Sequence, residues 1–187
     1  MSDTNGPSPY SYWVIPGRFA AGEYPGAKDP VEAAPKLDAL LKSGVNHFID
    51  LTGLNVRGEP DNLTHYSDIA QERAQRLGLS VVWERHTIVD GSVPASPWLM
   101  ARILDAIDTA LDGGKTVYLH CLGGVGRTGA VVGCWLVRQG RTGDEALEQV
   151  AELFGASGLA SKHHHGSPET REQREYVRSW AGQKSTR

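Results

Sequence analysis

Cysteine is scarce in this chain: 187 residues hold two, Cys121 and Cys134. Two cysteines cannot build the disulfide framework of a small secreted scaffold, so the expected setting is a reducing one. Long apolar runs are missing as well. The longest, such as AVVGCWLV, fall far short of the ~20 residues a membrane span needs. The opening MSDTNGPSPY lacks the basic start and apolar centre of a secretory leader. Nor is there an excess of positive charge. Nineteen Lys and Arg stand against 22 Asp and Glu, a formal net charge of -3, which argues against the clustered basic footprint of a nucleic-acid binder. An anionic substrate stays open, because a local pocket can be positive on an acidic protein. These absences predict a soluble, cytoplasmic monomer with neither nucleic-acid nor membrane partners.

What is present suits one well-buried domain: 40% hydrophobic and 22% charged residues in a chain of this length. Residues 1–10, rich in Ser, Pro and Gly, are expected as a disordered tail, 11–182 as the domain, and 183–187 as a flexible end. Two proline-glycine turns, Pro16-Gly17 and Pro25-Gly26, bracket a short extended piece. DPVEAAPKLDALLKSG predicts a helix with Asp29 as N-cap, Pro30 at its first position and Gly44 past its end. VNHFIDLT, LSVVWERHTI and KTVYLH predict strands. THYSDIAQERAQRLG predicts a second helix, and SPWLMARILDAIDTALDGG a third, capped by Ser96. RTGAVVGCWLVRQG, TGDEALEQVAELFG (capped by Thr142 or Asp144) and SPETREQREYVRSW (capped by Ser167, with Pro168 in its first turn) complete the set. Strands alternating with helices predict an α/β fold: a mostly parallel central sheet of about four to five strands, flanked by helices.

The stretch TVYLHCLGGVGRTGAVVGCW carries the chemistry. Gly124-Val125-Gly126-Arg127-Thr128-Gly129 fits the dinucleotide pattern G-x-G-x-x-G, and Glu148 lies near where an acidic ribose ligand belongs. That acid should end a second strand, yet Glu148 sits in a helical pattern, and the residues after Gly129 read as helices. The nucleotide P-loop fails too, because Arg127 stands where its lysine should be. A third reading uses every residue. A strand delivers Cys121, and a helix begins near Arg127. Between them Leu122, Gly123, Gly124, Val125 and Gly126 form a loop whose amides can cradle a phosphate. Arg127 can fork two N–H donors onto phosphoryl oxygens. A helix terminus and a nearby cation favour the thiolate, which makes Cys121 the expected nucleophile. The Thr128 hydroxyl either bonds the sulfur and helps it leave, or is a plain helix-start hydroxyl. Asp90 lies in a turn after a strand, 31 residues before the cysteine, with one helix and one strand between them. That spacing returns its loop to the carboxyl end of the sheet, where it can act as the general acid.

His120-Cys121-Leu122-Gly123-Gly124-Val125-Gly126-Arg127-Thr128 resembles the H-C-x-x-x-x-x-R-[ST] signature of the cysteine-dependent protein tyrosine and dual-specificity phosphatases. TIVDGSVP resembles the acid loop of their compact branch, that of the cyclin-dependent-kinase-associated phosphatases. The resemblance covers roughly residues 13–181. It implies a phosphocysteine intermediate formed by Cys121, with Asp90 serving first as acid and then as base, and with no metal or other cofactor. It also implies that His120 supports the loop and tunes the thiol. The tyrosine-recognition loop of strictly tyrosine-specific members is not found, which favours a broader choice among phosphotyrosine, phosphoserine and phosphothreonine. The loop's inner residues carry no charge, which argues against highly charged inositol head groups. The expected partner is a phosphorylated protein. A small phosphorylated metabolite or phosphoinositide is the alternative, and a catalytically silent phosphate binder a further one, weakened because cysteine, arginine and acid are all present.

Other features have plainer readings. Gln173 either reaches the site to position water or is a surface residue of the last helix. Cys134 reads as a buried small apolar residue rather than a redox partner of Cys121. His163-His164-His165 reads as a solvated loop rather than a metal site. Arg57 either meets an anionic substrate or is a solvated charge.

Overall fold

Strands β1 (Ser11–Ile15) and β2 (Phe19–Gly22) form an antiparallel hairpin, with Gly17 at φ +71° in the connecting turn. Positive φ is cheap only for glycine, so the Pro16-Gly17 pair sets this reversal. The structure is a computed structural model and describes residues 5–180. After the hairpin come α1 (Pro30–Lys42), β3 (His47–Asp50), α2 (Ser67–Arg76), β4 (Val82–Arg85) and α3 (Pro97–Asp112). Then follow β5 (Val117–His120), α4 (Gly126–Arg138), α5 (Gly143–Gly155), α6 (Leu159–Lys162) and α7 (Arg171–Ser179).

The sheet has five strands in the order β1-β2-β5-β3-β4, parallel except for β1. This is the mostly parallel α/β sheet that the alternation predicts. β5 is central and wholly buried. Side chains alternate between its faces with the strand period of two. Val117 and Leu119 join the core under α3, α4 and α5, while Tyr118 joins the core under α1 and α2. Phe48 and Ile49 on β3, and Ala20 and Ala21 on β2, divide in the same way. Both faces are therefore covered, and the C-terminal ends of β3, β4 and β5 open on one edge.

Asp29, Ser96 and Thr142 cap α1, α3 and α5 as predicted, and Thr142 forms a reciprocal capping box with Glu145. The last helix differs. It starts at Arg171, capped by Thr170 in a second capping box with Gln173, while the Ser167 hydroxyl donates to Val125 O instead. Thr170-x-x-Gln173 satisfies two orphan amides at once, which Ser167 with Pro168 cannot do. The short α6 lies between the predicted helices, just ahead of the His163–His165 run that was expected as loop. Residues 5–10, expected within a disordered tail, pack on the domain: Asn5 Nδ2 donates to Ala156 O, and Gly158 N donates to Pro9 O. The remainder of the expected tail, and residues 183–187, lie outside the described residues.

Candidate active site

The site grows from the end of β5. Cys121 is the first residue beyond that strand, and it is 3% exposed. The chain then turns through Leu122–Val125 into α4. Tyr24 N donates to Leu122 O at 2.9 Å and Ser167 Oγ to Val125 O at 2.8 Å, so both shoulders of the loop are tied to other elements. Gly124 has φ +72°, and a Cβ placed there would lie 2.5 Å from the backbone of Gly22. No other residue fits at that position. Val125 is buried, whereas Leu122 is 46% exposed. The N-terminus of α4 has no side-chain cap and no acidic residue in its own first turn, and its positive end faces the loop.

Arg127 is 2% exposed. Its Nη1 donates to Ile88 O at 3.0 Å and to Leu51 O at 3.4 Å, which fastens the guanidinium to the ends of two segments of the opposite wall. Its Nη2 pairs with Asp90 Oδ1 at 2.9 Å. Its Nε–H is buried with no partner among the described residues. One guanidinium edge thus has a free donor beside a donor now held by a carboxylate. A bidentate oxyanion would use that edge. Thr128 is fully buried, and its Oγ1 also lacks a partner among the described residues, so the hydrogen bond to sulfur envisaged for it is not made in this structure.

Asp90 sits in a turn whose next residue, Gly91, has φ +76°. Its side chain is 38% exposed. The turn is held by Asp90 N donating to Leu54 O at 3.3 Å, and by Gln173 Nε2 donating to Ser92 O at 3.0 Å. Gln173 is fully buried, and its Oε1 accepts from Thr170 N. The surface reading of Gln173 is therefore excluded. The side chain joins α7 to the Asp90 loop and packs against Gly126, where a Cβ would come within 2.9 Å of its amide.

His120 is buried under the loop. Its Nδ1 lies 3.1 Å from Cys121 O and its Nε2 lies 2.6 Å from the Tyr66 hydroxyl. A carbonyl only accepts, so Nδ1 carries the proton and Nε2 accepts from Tyr66. Burial pushes His120 below the ordinary histidine range, against the pull of Asp50, which keeps the ring neutral. Asp50 is fully buried at the end of β3. Burial alone would raise its pKa. Two hydrogen bonds from Thr52 and the Arg85 guanidinium outweigh that and hold it below the usual carboxylate range. Asp50, Tyr66 and Arg85 were not singled out from sequence, and Ser167 only as a helix cap. Only Asp50 had a local signal, as an acid ending an apolar run.

Other candidates fall elsewhere. Cys134 is fully buried in the core on α4, and burial pushes its thiol far above the usual range, as suits an apolar packing residue. His164 and His165 are exposed, but His163 is half-buried, its ring 3.2 Å from where a Gly123 Cβ would be. Among the described residues, no group of three or more His, Cys, Asp and Glu could hold a metal ion. Arg57 is exposed in the turn that Asn55 organises. Among the described residues, no helix is long and apolar enough to cross a membrane.

Residues 24–141 match the family model described as "Polymorphic toxin system, DSP-PTPase phosphatase". The chain is 39% identical over 104 residues to "Putative tyrosine phosphatase 067L" of Invertebrate iridescent virus 3. That match spans 54% of this chain but only 38% of the viral protein. Among solved structures, the active form of Tk-PTP superposes with a TM-score of 0.66 at 25% identity, covering 92% of this chain and 96% of the other. Kinase associated phosphatase gives 0.61 at 20% identity, covering 85% and 83%. PTPMT1 in complex with PI(5)P gives 0.64 at 17% identity, covering 91% and 94%. The last two likenesses, at these identities, bear on the fold alone.

Proposed function

We propose, from the premise that this chain belongs to the dual-specificity family of protein tyrosine phosphatases, that it dephosphorylates proteins through a phosphocysteine on Cys121. The observation that carries this reading is the convergence on Arg127: the phosphate loop holds the guanidinium at its inner end, and the acid loop brings Asp90 Oδ1 to 2.9 Å from it. A substrate phosphate would seat on the loop amides of Leu122–Gly126 and on the Nε and Nη2 edge of Arg127, displacing the Asp90 carboxylate from Nη2. Cys121 Sγ then attacks phosphorus in line. The S–P bond forms and the ester P–O bond breaks, while Asp90, which takes up a proton from solvent or from the phosphate monoanion once it leaves Arg127, passes that proton to the leaving oxygen. In the second step Asp90 takes a proton from water, the water oxygen attacks phosphorus, and the S–P bond breaks to return the thiolate. Arg127 and the loop amides stabilise the charge on the equatorial oxygens in both steps. The unpartnered Thr128 hydroxyl is available to the departing sulfur. Gln173 can hold the acid loop over the site for the hydrolytic water, and His120 fixes the carbonyl of Cys121 from below.

Protein substrates are favoured by the uncharged loop side chains, Leu-Gly-Gly-Val-Gly, which supply no cations for a polyanionic head group. The same reading takes residues 11–182 as one monomeric, cytoplasmic domain, supported by two cysteines that are both unpaired. A screen across phosphopeptides, inositol phosphates and phosphosugars tests it, with Cys121→Ser as control. Phosphopeptides should give the highest kcat/KM, and Cys121→Ser should lose activity on every substrate. A strong preference for an inositol phosphate or phosphosugar would overturn the choice of substrate. Retained turnover by Cys121→Ser would overturn the mechanism.

A further inference from the structure

Behind the phosphate loop lies a cavity of about 230 Å³, roofed by α1 and walled by residues 8–10 and the segment after β2. Its lining is largely ring surface: Tyr10, Tyr24 and Tyr118, with Pro25 and Pro35. At its polar end sits Glu23, whose side chain is 12% exposed. Lys36 Nζ reaches Glu23 Oε1 at 3.3 Å, and Lys162 Nζ pairs with Oε2. The Lys162 ammonium also rests 3.9 Å from the centre of the Tyr10 ring.

The charges at this end select the ligand. Each Glu23 oxygen is already paired with an ammonium, Oε2 through a hydrogen bond from Lys162 and Oε1 with Lys36 at 3.3 Å, and these two cations repel a third. Two lysines against one carboxylate leave a balance of +1. Each ammonium has three donors, and its contact with Glu23 uses at most one of them. The remaining donors suit a carboxylate. The tyrosine and proline walls suit a flat apolar body, and the volume limits it to one or two rings.

The cavity shares a wall with the phosphate loop. Tyr24 lines it, and its backbone N–H donates to Leu122 O at 2.9 Å. Glu23 O accepts from the Tyr118 hydroxyl at 2.8 Å. The preceding residue, Gly22, lies directly against Gly124, as the missing room for a Cβ there demonstrates. The strip Gly22–Tyr24 is thus one backbone with the cavity on one side and the loop on the other. We propose that this cavity binds a small aromatic carboxylate, and that its occupancy is coupled to oxyanion binding at the phosphate loop. The binding half stands independently of the catalytic reading. The coupling half rests on the loop being the phosphate site.

The test titrates 2-naphthoate into the full-length protein, with and without orthovanadate, followed by calorimetry. Saturable binding at about 1 mM or tighter is expected for a ligand of this size. Ala39→Phe, which fills the cavity from α1, should weaken binding roughly 10-fold or more, and Lys36→Gln roughly 3-fold, with thermal unfolding used to show that both variants fold. Vanadate should shift the naphthoate affinity at least about 2-fold, and naphthoate should shift the vanadate affinity by the same factor. Running both in Cys121→Ser separates this site from turnover. Absence of saturable binding, binding unchanged in Ala39→Phe, or simple competition with vanadate would overturn the site. Naphthoate binding that leaves vanadate affinity untouched would overturn the coupling.

Discussion

The two loops that meet at Arg127 are built differently. The phosphate loop is contiguous, buried except at Leu122 and Gly123, and over-determined. It is tied at Leu122 and Val125, closed beneath by Gly22 against Gly124, and supported by His120. The acid loop carries a part-exposed Asp90 on a glycine turn, and it is pinned at a few separated points: Leu54, Gln173 and Arg127 itself. A rigid anion cradle is preorganised for charge in the transition state, whereas a loop held by single hydrogen bonds can open and close over each substrate. On the proposed mechanism the contrast makes anion binding and proton transfer separable, because the two loops rest on different amounts of structure.

Substitution in the Asp90 loop should separate them most. Asp90→Asn is expected to lower kcat about 10²–10⁴-fold for alkyl phosphates and much less for aryl phosphates with good leaving groups. Because Asp90 now occupies Arg127 Nη2, the same variant should bind vanadate at least as tightly as the native protein. Equal losses across leaving groups, or weakened vanadate binding, would collapse the distinction between the loops. On the rigid side, Gly124→Ala forces a Cβ to 2.5 Å from Gly22 at a positive φ. It should cost about 10²-fold in kcat/KM and weaken vanadate binding in parallel, since a displacement of ~1 Å disturbs both ground and transition states.

Gln173→Ala removes the pin on Ser92 O. A single net hydrogen bond is worth about 1 kcal/mol, so kcat should fall roughly 5-fold while vanadate affinity stays level. A larger effect on vanadate than on kcat would mean that Gln173 serves the cradle rather than the lid. The smallest effect on activity belongs to a place remote from both loops. Glu84 accepts from His47 at 2.6 Å and from His86 at 2.9 Å, and these hydrogen bonds, His47 first, hold its carboxyl down to about 2. A carboxyl lowered by folding adds stability above its unfolded value of about 4.5, and that stability is lost as pH falls through the folded value. Glu84→Gln should therefore unfold more easily than the native protein at neutral pH. The gap should narrow as pH drops from about 4.5 to about 2, with kcat unchanged at neutral pH. A pH-independent gap would contradict this account.

The sequence made the rigid loop far more legible than its supports. His120 through Thr128 is local: a strand, a glycine turn and a helix start placed next to one another in the chain. Asp90 was legible for the same reason, because one helix and one strand bring it back to the same sheet edge. The Asp50, Tyr66 and Arg85 network was not, because it joins the ends of β3 and β4 to the start of α2, and no local pattern encodes that junction. Gln173 lies 81 residues from Ser92, so its hydrogen bond there depends on how α7 docks. The start of that helix was misplaced because Ser167-Pro168 imitates a cap followed by a first-turn proline, whereas the Ser167 hydroxyl is engaged with Val125 O across the fold.

The central claim is that Cys121 carries the phosphoryl group. Asp90→Asn mixed with an aryl phosphate, quenched in acid within one turnover and digested, puts the question to a single peptide. The account predicts phosphate on the peptide containing Cys121, rising before product phosphate appears and absent in Cys121→Ser. Turnover with no phosphorylated cysteine, or phosphate found on another residue, would contradict it.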